Sequence, residues 1–278
     1  MKKCISFIFI AILWWPALIY AAGEAQTEQL LRAPIPRPEV VPEEKAREKG
    51  EFFWDSYYEG SKVIQGSRPG RWREITNRIG YKYRNIQAYG TISQWNRFSV
   101  NNYTANFGAY MNFPNSYAHI EGGWGWDITY MYKLQSIIEY GHRLHKNLFW
   151  QVGYNYRDYS ENDTHMVYPG LIYYFGDNYI SVDYGLSLTE SRGTAQFGTV
   201  KGNFALTKRL ALSLGAAVGE RLYDIFELPS RDQSGYIVFG GLNFNVCPWA
   251  IARVGYSYGT EKPDFIKRSI NTSLSLKF

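Results

Sequence analysis

Apolar and polar residues alternate with a period of two along much of this chain. Between 209 and 220, Leu210, Leu212, Leu214, Ala216 and Val218 share one parity, and Ala211, Ser213, Gly215, Ala217 and Gly219 the other. Between 179 and 188, Ile180, Val182, Tyr184, Leu186 and Leu188 alternate with Ser181, Asp183, Gly185 and Ser187. The last residues repeat the pattern, with Ile266, Arg268, Ile270, Thr272, Leu274, Leu276 and Phe278 on one largely apolar face and Lys267, Ser269, Asn271, Ser273, Ser275 and Lys277 on the polar one. A two-faced strand suits a soluble sheet packed on a core, or a barrel strand with lipid outside and water inside. The small residues on the polar face would leave space inside such a barrel.

Turn residues divide the chain into fourteen candidate strands near 51–58, 72–83, 86–98, 103–112, 117–126, 133–143, 148–158, 164–175, 179–188, 194–206, 209–220, 234–246, 249–259 and 266–278. The connections after the even-numbered strands are short, as at 84–85, 144–147 and 207–208, whereas those at 59–71, 221–233 and 260–265 are longer. Short and long loops at opposite ends, with both termini at the short-loop end, describe an all-β closed antiparallel transmembrane β-barrel of about 12–14 strands. The connection at 99–102 is short where a long one is expected, which keeps twelve strands open.

The ends of the chain point to the same compartment. Lys2 and Lys3, an apolar run over 7–19 broken only by Pro16, and a small residue at Ala21 form a secretory signal over 1–21 that is too short to span a bilayer. Residues 22–50, with Pro34, Pro36, Pro38 and Pro42 followed by a charged patch, read as a periplasmic linker, and 51–278 as the barrel. Aromatic residues make up 18% of the chain, including 24 Tyr, which suits interfacial girdles better than a small soluble core. The formal charge of +5 falls further when Lys2 and Lys3 are cleaved, too little to argue for nucleic acid. Cys4 leaves with the signal, so Cys247 has no internal disulfide partner.

Several short motifs carry a resemblance. They are Trp72-Arg73-Glu74, Tyr81-Lys82-Tyr83, Gly122-Gly123-Trp124-Gly125, the run from Glu139 to Leu144, Gly153-Tyr154-Asn155-Tyr156-Arg157, Gly170-Leu171-Ile172-Tyr173-Tyr174 and the run from Val254 to Gly259. In this order the chain resembles the YaiO-type family of outer-membrane β-barrel proteins. The terminal Phe278, with Leu276 and Leu274 at alternate positions behind it, resembles the carboxy-terminal assembly signal of such barrels. The resemblance implies the bacterial outer membrane, contact with its lipid and lipopolysaccharide, and insertion by the barrel assembly machinery. It supplies no catalytic residues and no cofactor. Some members carry helical repeats before the barrel, where this chain has only the 22–50 segment.

Facing assignments give a lumen lining of Glu74, Arg78, Lys82, Glu139, Arg143, Gln151, Asn155, Arg157, Asp183, Lys201, Asn203, Arg253 and Lys267. A mixed-sign set of this kind serves either as a structural ion-pair network or as the wall of a path for a small solute or glycan. Residues 221–233, with Tyr223 and Phe226 among charges, are the most ligand-like exposed stretch, suited to docking or adhesion. A hydrolase would need Ser136, Glu139 and His142 together. Ser136 and His142 lie six residues, about 20 Å, apart along one strand, and Glu139 takes the opposite parity. The chain is therefore read as a monomeric non-enzymatic barrel without metal or cofactor.

Overall fold

The computed structural model describes residues 50–160, 162–190, 193–220 and 234–278. The signal and linker assignments, and the 221–233 connection, lie outside the described residues. Fourteen strands follow in order: β1 (Glu51–Gln65), β2 (Arg68–Tyr83), β3 (Ile86–Arg97), β4 (Val100–Asn112), β5 (Ser116–Trp126), β6 (Leu134–His145), β7 (Leu148–Asp158), β8 (Asp163–Phe175), β9 (Asn178–Thr189), β10 (Gly193–Ala205), β11 (Leu210–Glu220), β12 (Ser234–Cys247), β13 (Ala250–Glu261) and β14 (Phe265–Lys277). Each pairs antiparallel with its sequence neighbours, and β1 closes on β14 to complete a barrel. Closure leaves no unpaired strand edge, which hydrocarbon could not hydrogen-bond.

The first hairpin corrects the expected long loop at 59–71. β1 and β2 pair continuously from Glu51–Lys82 to Gln65–Arg68, and the chain reverses at Gly66, whose φ of 58° suits a tight turn. The period-two pattern does continue there, with Val63 and Trp72 buried between exposed Lys62, Ile64, Arg71 and Arg73. The last hairpin is likewise longer than read, since β13 reaches Glu261 and leaves a turn only at 262–264. Fourteen strands settle the count, and the two-residue reversal at Phe98 and Ser99, with φ of 49° and 71°, explains the short connection that had kept twelve open.

Burial follows parity around the barrel. Ile79, Ile92, Phe107, Ile138, Val182, Leu188 and Val218 on the outward positions are exposed, while their neighbours in sequence turn inward. The even strand number puts both termini at one end. Short turns mark that end as periplasmic, so the 66–67, 98–99, 127–133 and 262–264 connections lie at the outer surface.

Candidate functional site

The interior is layered. At its outer end, Val63, Trp72, Ala217, Ile237, Phe239 and Phe265 form one apolar cluster, with Phe98 and Phe197 packed against it. These residues come from β1, β2, β11, β12 and β14, so they cover one side of the mouth. The Trp72 ring meets Phe265 at 5.4 Å and Phe98 edge-on at 5.6 Å. The Arg97 guanidinium lies 5.1 Å from the same ring, a favourable placement over its negative face. Beneath the cluster, Lys267 Nζ stands 3.1 Å from Glu59 Oε1, both side chains almost fully buried, and Tyr57 donates to the other carboxylate oxygen of Glu59. A pair so buried persists because each charge neutralises the other; alone, either would be strongly destabilising.

The opposite side of the mouth is closed by the connection between β5 and β6. Residues 127–133 fold inward, and Met131 and Tyr132 are buried against Trp95, with Ile128 and Tyr159 beside them. One side chain holds this segment. Asn102 on β4, itself buried, accepts hydrogen bonds at Oδ1 from the backbone N–H groups of Thr129, Tyr130 and Met131 at 3.0, 2.8 and 3.2 Å. The Tyr132 hydroxyl adds a bond to Asn106 Oδ1 at 3.0 Å. Above the closed mouth, a cleft of about 750 Å³ opens between Arg68, Pro69, Phe98, Tyr130, Pro263 and Asp264.

Two polar chains run around the middle of the wall. In the first, Arg157 Nε donates to Gln135 at 3.0 Å, Gln135 Nε2 to Glu121 at 3.2 Å, and Tyr89 to Glu121 at 2.6 Å. His119 Nε2 lies 2.6 Å from the same hydroxyl, and the Arg78 guanidinium sits 4.6 Å from the Tyr89 ring. In the second, the Tyr117 hydroxyl is shared between Glu139 at 2.8 Å and Gln151 at 2.9 Å. Gln151 then donates to Asp183 at 2.6 Å, and Lys201 stands 3.8 Å from that carboxylate. A neutral amide stands between Arg157 and Glu121 in the first chain and, with the Tyr117 hydroxyl, between Glu139 and Asp183 in the second, whereas Lys201 meets Asp183 directly.

Glycines shape this wall. In each of the first six hairpins an inward aromatic residue is directly opposite an inward glycine: Phe53 and Gly80, Tyr89 and Gly108, Tyr117 and Gly141, Tyr168 and Gly153, Phe197 and Gly185, Phe239 and Gly215. In every case the ring occupies the position of a Cβ, with ring atoms 2.1 to 2.5 Å from where one would stand. The small inward residues at 185 and 215 therefore leave no open space. They hold a neighbour's ring flat against the sheet.

All thirteen charged or amide candidates from Glu74 to Lys267 occupy inward positions, but they do not form one group. Glu74 bonds Thr76 at 2.9 Å near the outer end. Arg143 lies near the periplasmic end, 3.4 Å from Asn115 and over the Phe149 ring. Lys82 lies directly opposite Glu51 at that end of the wall. Arg253 reaches Ser273 and Ser275 at 3.4 and 3.2 Å, beside a half-exposed cluster of Asn203, Ser213 and Asn243. Asn155 is almost fully buried, and neither of its amide atoms has a hydrogen-bonding partner among the described residues. The same holds for the hydroxyls of Ser181 and Thr199. Near the periplasmic opening a cleft of about 390 Å³ is lined by Lys208, Arg209, Asn245, Ile251, Ser275 and Lys277.

The sequence reading passed over Asn102, Glu59, Tyr89, His119 and Glu121. Inward parity on β3 and β5 was the available signal for Tyr89, His119 and Glu121, whereas Glu59 and Asn102 fell in the expected 59–71 and 99–102 connections. Ser136 and His142 take the outward, lipid-facing parity of β6, while Glu139 faces inward. The three cannot act on one substrate. At the carboxy terminus, Leu274 and Leu276 pack with Ala250, Trp54 and Trp249, and Phe278 donates its N–H to Phe52 O at 2.8 Å with its ring exposed.

A family model described as the YaiO membrane β-barrel domain matches residues 63–221, more than half of the chain. No curated protein matches the sequence. Solved structures match the fold. The CymD monoaromatic hydrocarbon channel is 8% identical with a TM-score of 0.59, covering 93% of this chain and 94% of that one. The toluene transporter TbuX of Ralstonia pickettii is 7% identical with a TM-score of 0.59, covering 83% and 90%. A bacterial polysaccharide outer membrane secretin is 7% identical with a TM-score of 0.57, covering 84% and 100%. At these identities the likeness is one of architecture.

Proposed function

The chain belongs to the YaiO family of membrane β-barrels and resides in the bacterial outer membrane; from that premise we propose that it is a gated passage for small polar solutes, here in its closed conformation. The observation that carries the reading is the infolded 127–133 segment: the mouth is closed by a segment that one amide oxygen docks against the wall. The segment lies outside the strand ladder, so its release would leave the pairing of the barrel intact, the arrangement in which lids and gates are found. The wall favours a polar cargo. A hydrocarbon path, of the kind that serves a monoaromatic hydrocarbon channel such as CymD or a toluene transporter such as TbuX, would have to pass Glu59, Lys267, Glu121 and Asp183. Asn155, Ser181 and Thr199 also keep donors and acceptors that have no partner among the described residues, and a hydroxylated solute such as a sugar would satisfy them.

The test is solute entry into liposomes containing the purified barrel. Small neutral sugars should enter faster in a variant lacking residues 128–132 than in wild type, and toluene should gain nothing. Absence of conductance and of sugar entry in both proteins would overturn the passage. A specific observation supports a second reading, a permanently closed barrel used for docking: the buried Glu59–Lys267 pair and the apolar cluster around Trp72 seal one side without help from the loop. Under that reading the loop deletion leaves the barrel impermeable, and removal of 221–233 abolishes surface binding.

A further inference from the structure

The outward face of the barrel carries apolar and uncharged polar residues over most of its height, and its lysine and arginine residues fall together. On the outward parity of the fourteen strands, lysine and arginine among the described residues occur only at Lys62, Arg71, Arg73 and Arg268, all exposed. Register makes neighbours of them. Lys62 on β1 is directly opposite Arg268 on β14 and directly opposite Arg71 on β2. Arg73 follows on the same face of β2, opposite Gly60, which has no side chain to crowd it. Two like-charged cross-strand contacts in one row are unfavourable in themselves. The outward positions of β13, β14, β1, β2 and β3 carry no aspartate or glutamate beside Lys62, Arg73 and Arg268, while Arg71 has further contacts of its own. Asp264, in the turn above, lines the inner cleft instead.

The level of the row identifies what offsets the charge. Lys62 and Arg71 lie three residues from the ends of their strands, so the row sits within about 10 Å of the outer rim measured along a strand. Below it, Ile75, Ile79 and Ile270 are exposed to the hydrocarbon. Beside it, Tyr258 is directly opposite Arg268, whose guanidinium lies 5.8 Å from the ring, an aromatic residue at girdle height. The cations therefore stand where hydrocarbon gives way to headgroups in the outer leaflet. That leaflet presents lipopolysaccharide, whose saccharolipid headgroup carries phosphates, and guanidinium groups bind phosphate oxygens in pairs. We propose that Lys62, Arg73 and Arg268 form a binding site for the headgroup phosphates of lipopolysaccharide on the outer wall. Adjacent strands lie about 4.8 Å apart, so β2 and β14 present their arginines about 10 Å from one another, with Lys62 between. This spacing suits two phosphates of one lipid. The site rests on the membrane orientation and is independent of the passage.

Native mass spectrometry of the full barrel in detergent tests the proposal, with the bisphosphorylated lipid A portion of lipopolysaccharide, the same lipid enzymatically dephosphorylated, and inorganic phosphate as probes. The phosphorylated lipid should remain bound, and dephosphorylation should weaken retention about tenfold, the sum of several solvent-exposed ionic contacts. Raising the salt concentration should weaken the phosphorylated lipid selectively. K62Q/R73Q/R268Q, checked for heat-modifiable folding on gels, should lose the preference while still binding the dephosphorylated lipid. Equal retention of both lipids by wild type overturns the proposal whether or not any variant folds. A folded triple variant that keeps the preference overturns the residue assignment, and Arg73→Gln alone, beside Gly60, serves if the triple variant fails to fold. Displacement of the lipid by equimolar inorganic phosphate would overturn the lipid as the source.

Discussion

Substitution Asn102→Ala tests how the mouth is closed. It removes a single acceptor that three backbone N–H groups share at 2.8 to 3.2 Å. With the segment still docked, the Met131 donor would remain shielded from water, since Asn102 and Met131 are each no more than 2% exposed, whereas Thr129 is exposed and Tyr130 half-buried. A hydrogen bond of this kind contributes about 1 kcal/mol net, so the docked state loses about 3 kcal/mol if the three add and about half that if they do not. The docking equilibrium then shifts between about tenfold and about a hundredfold toward the undocked segment. Amide hydrogen exchange reads this directly. Thr129, Tyr130 and Met131 should exchange faster by that factor. Lys133, whose N–H bonds Asp158 O at 2.7 Å at the base of the segment, should keep its protection. Openings in planar bilayers should become correspondingly more frequent. Unchanged exchange at residues 129–131 would refute the argument that Asn102 holds the gate. Equal loss of protection at Lys133 and along β5 would show a general loosening of the barrel instead.

Other features yield further expected outcomes. Lys267→Met isolates the buried carboxylate of Glu59 and should destabilise the barrel by about 3 kcal/mol in denaturant titrations, whereas E59Q/K267M should recover much of the loss. No difference between the single and double variants would mean that the pair is not coupled. Gly141→Ala places a methyl group where the Tyr117 ring lies and should displace the ring from Glu139 and Gln151 at a cost of about 2 kcal/mol, with Y117A/G141A tolerated much better. Deletion of Phe278 removes an exposed ring and one backbone bond. Accumulation in cells should fall sharply, while protein refolded in detergent should keep nearly its wild-type unfolding midpoint; a large midpoint shift would make the residue structural instead of a signal.

Much of the barrel was legible because the period-two rule acts locally. Whether Asp183 faces in and Val182 faces out is set once β9 is a strand in a sheet with lipid on one side, and no partner need be known. The same local rule put Glu139 and Arg157 inside and His142 outside. Loop lengths were less legible. Lys62 and Arg71 looked like loop residues, and only closure of β1 on β14 supplies the register that extends the first hairpin to Gly66 and brings three cations into one row. Cross-strand pairing likewise decided that Gly141 receives the Tyr117 ring, because a glycine in a strand does not itself say which neighbour will cover it.

The sequence by itself determined the membrane environment, the architecture and the facing of nearly every strand residue, since each follows from residue type repeated at a fixed spacing. The tertiary structure alone decided whether the lumen is open or filled. That depends on contacts between residues far apart in the chain, such as Asn102 with 129–131, Glu59 with Lys267 and Trp72 with Phe265. Periodicity specifies a direction for each side chain but not what it meets there.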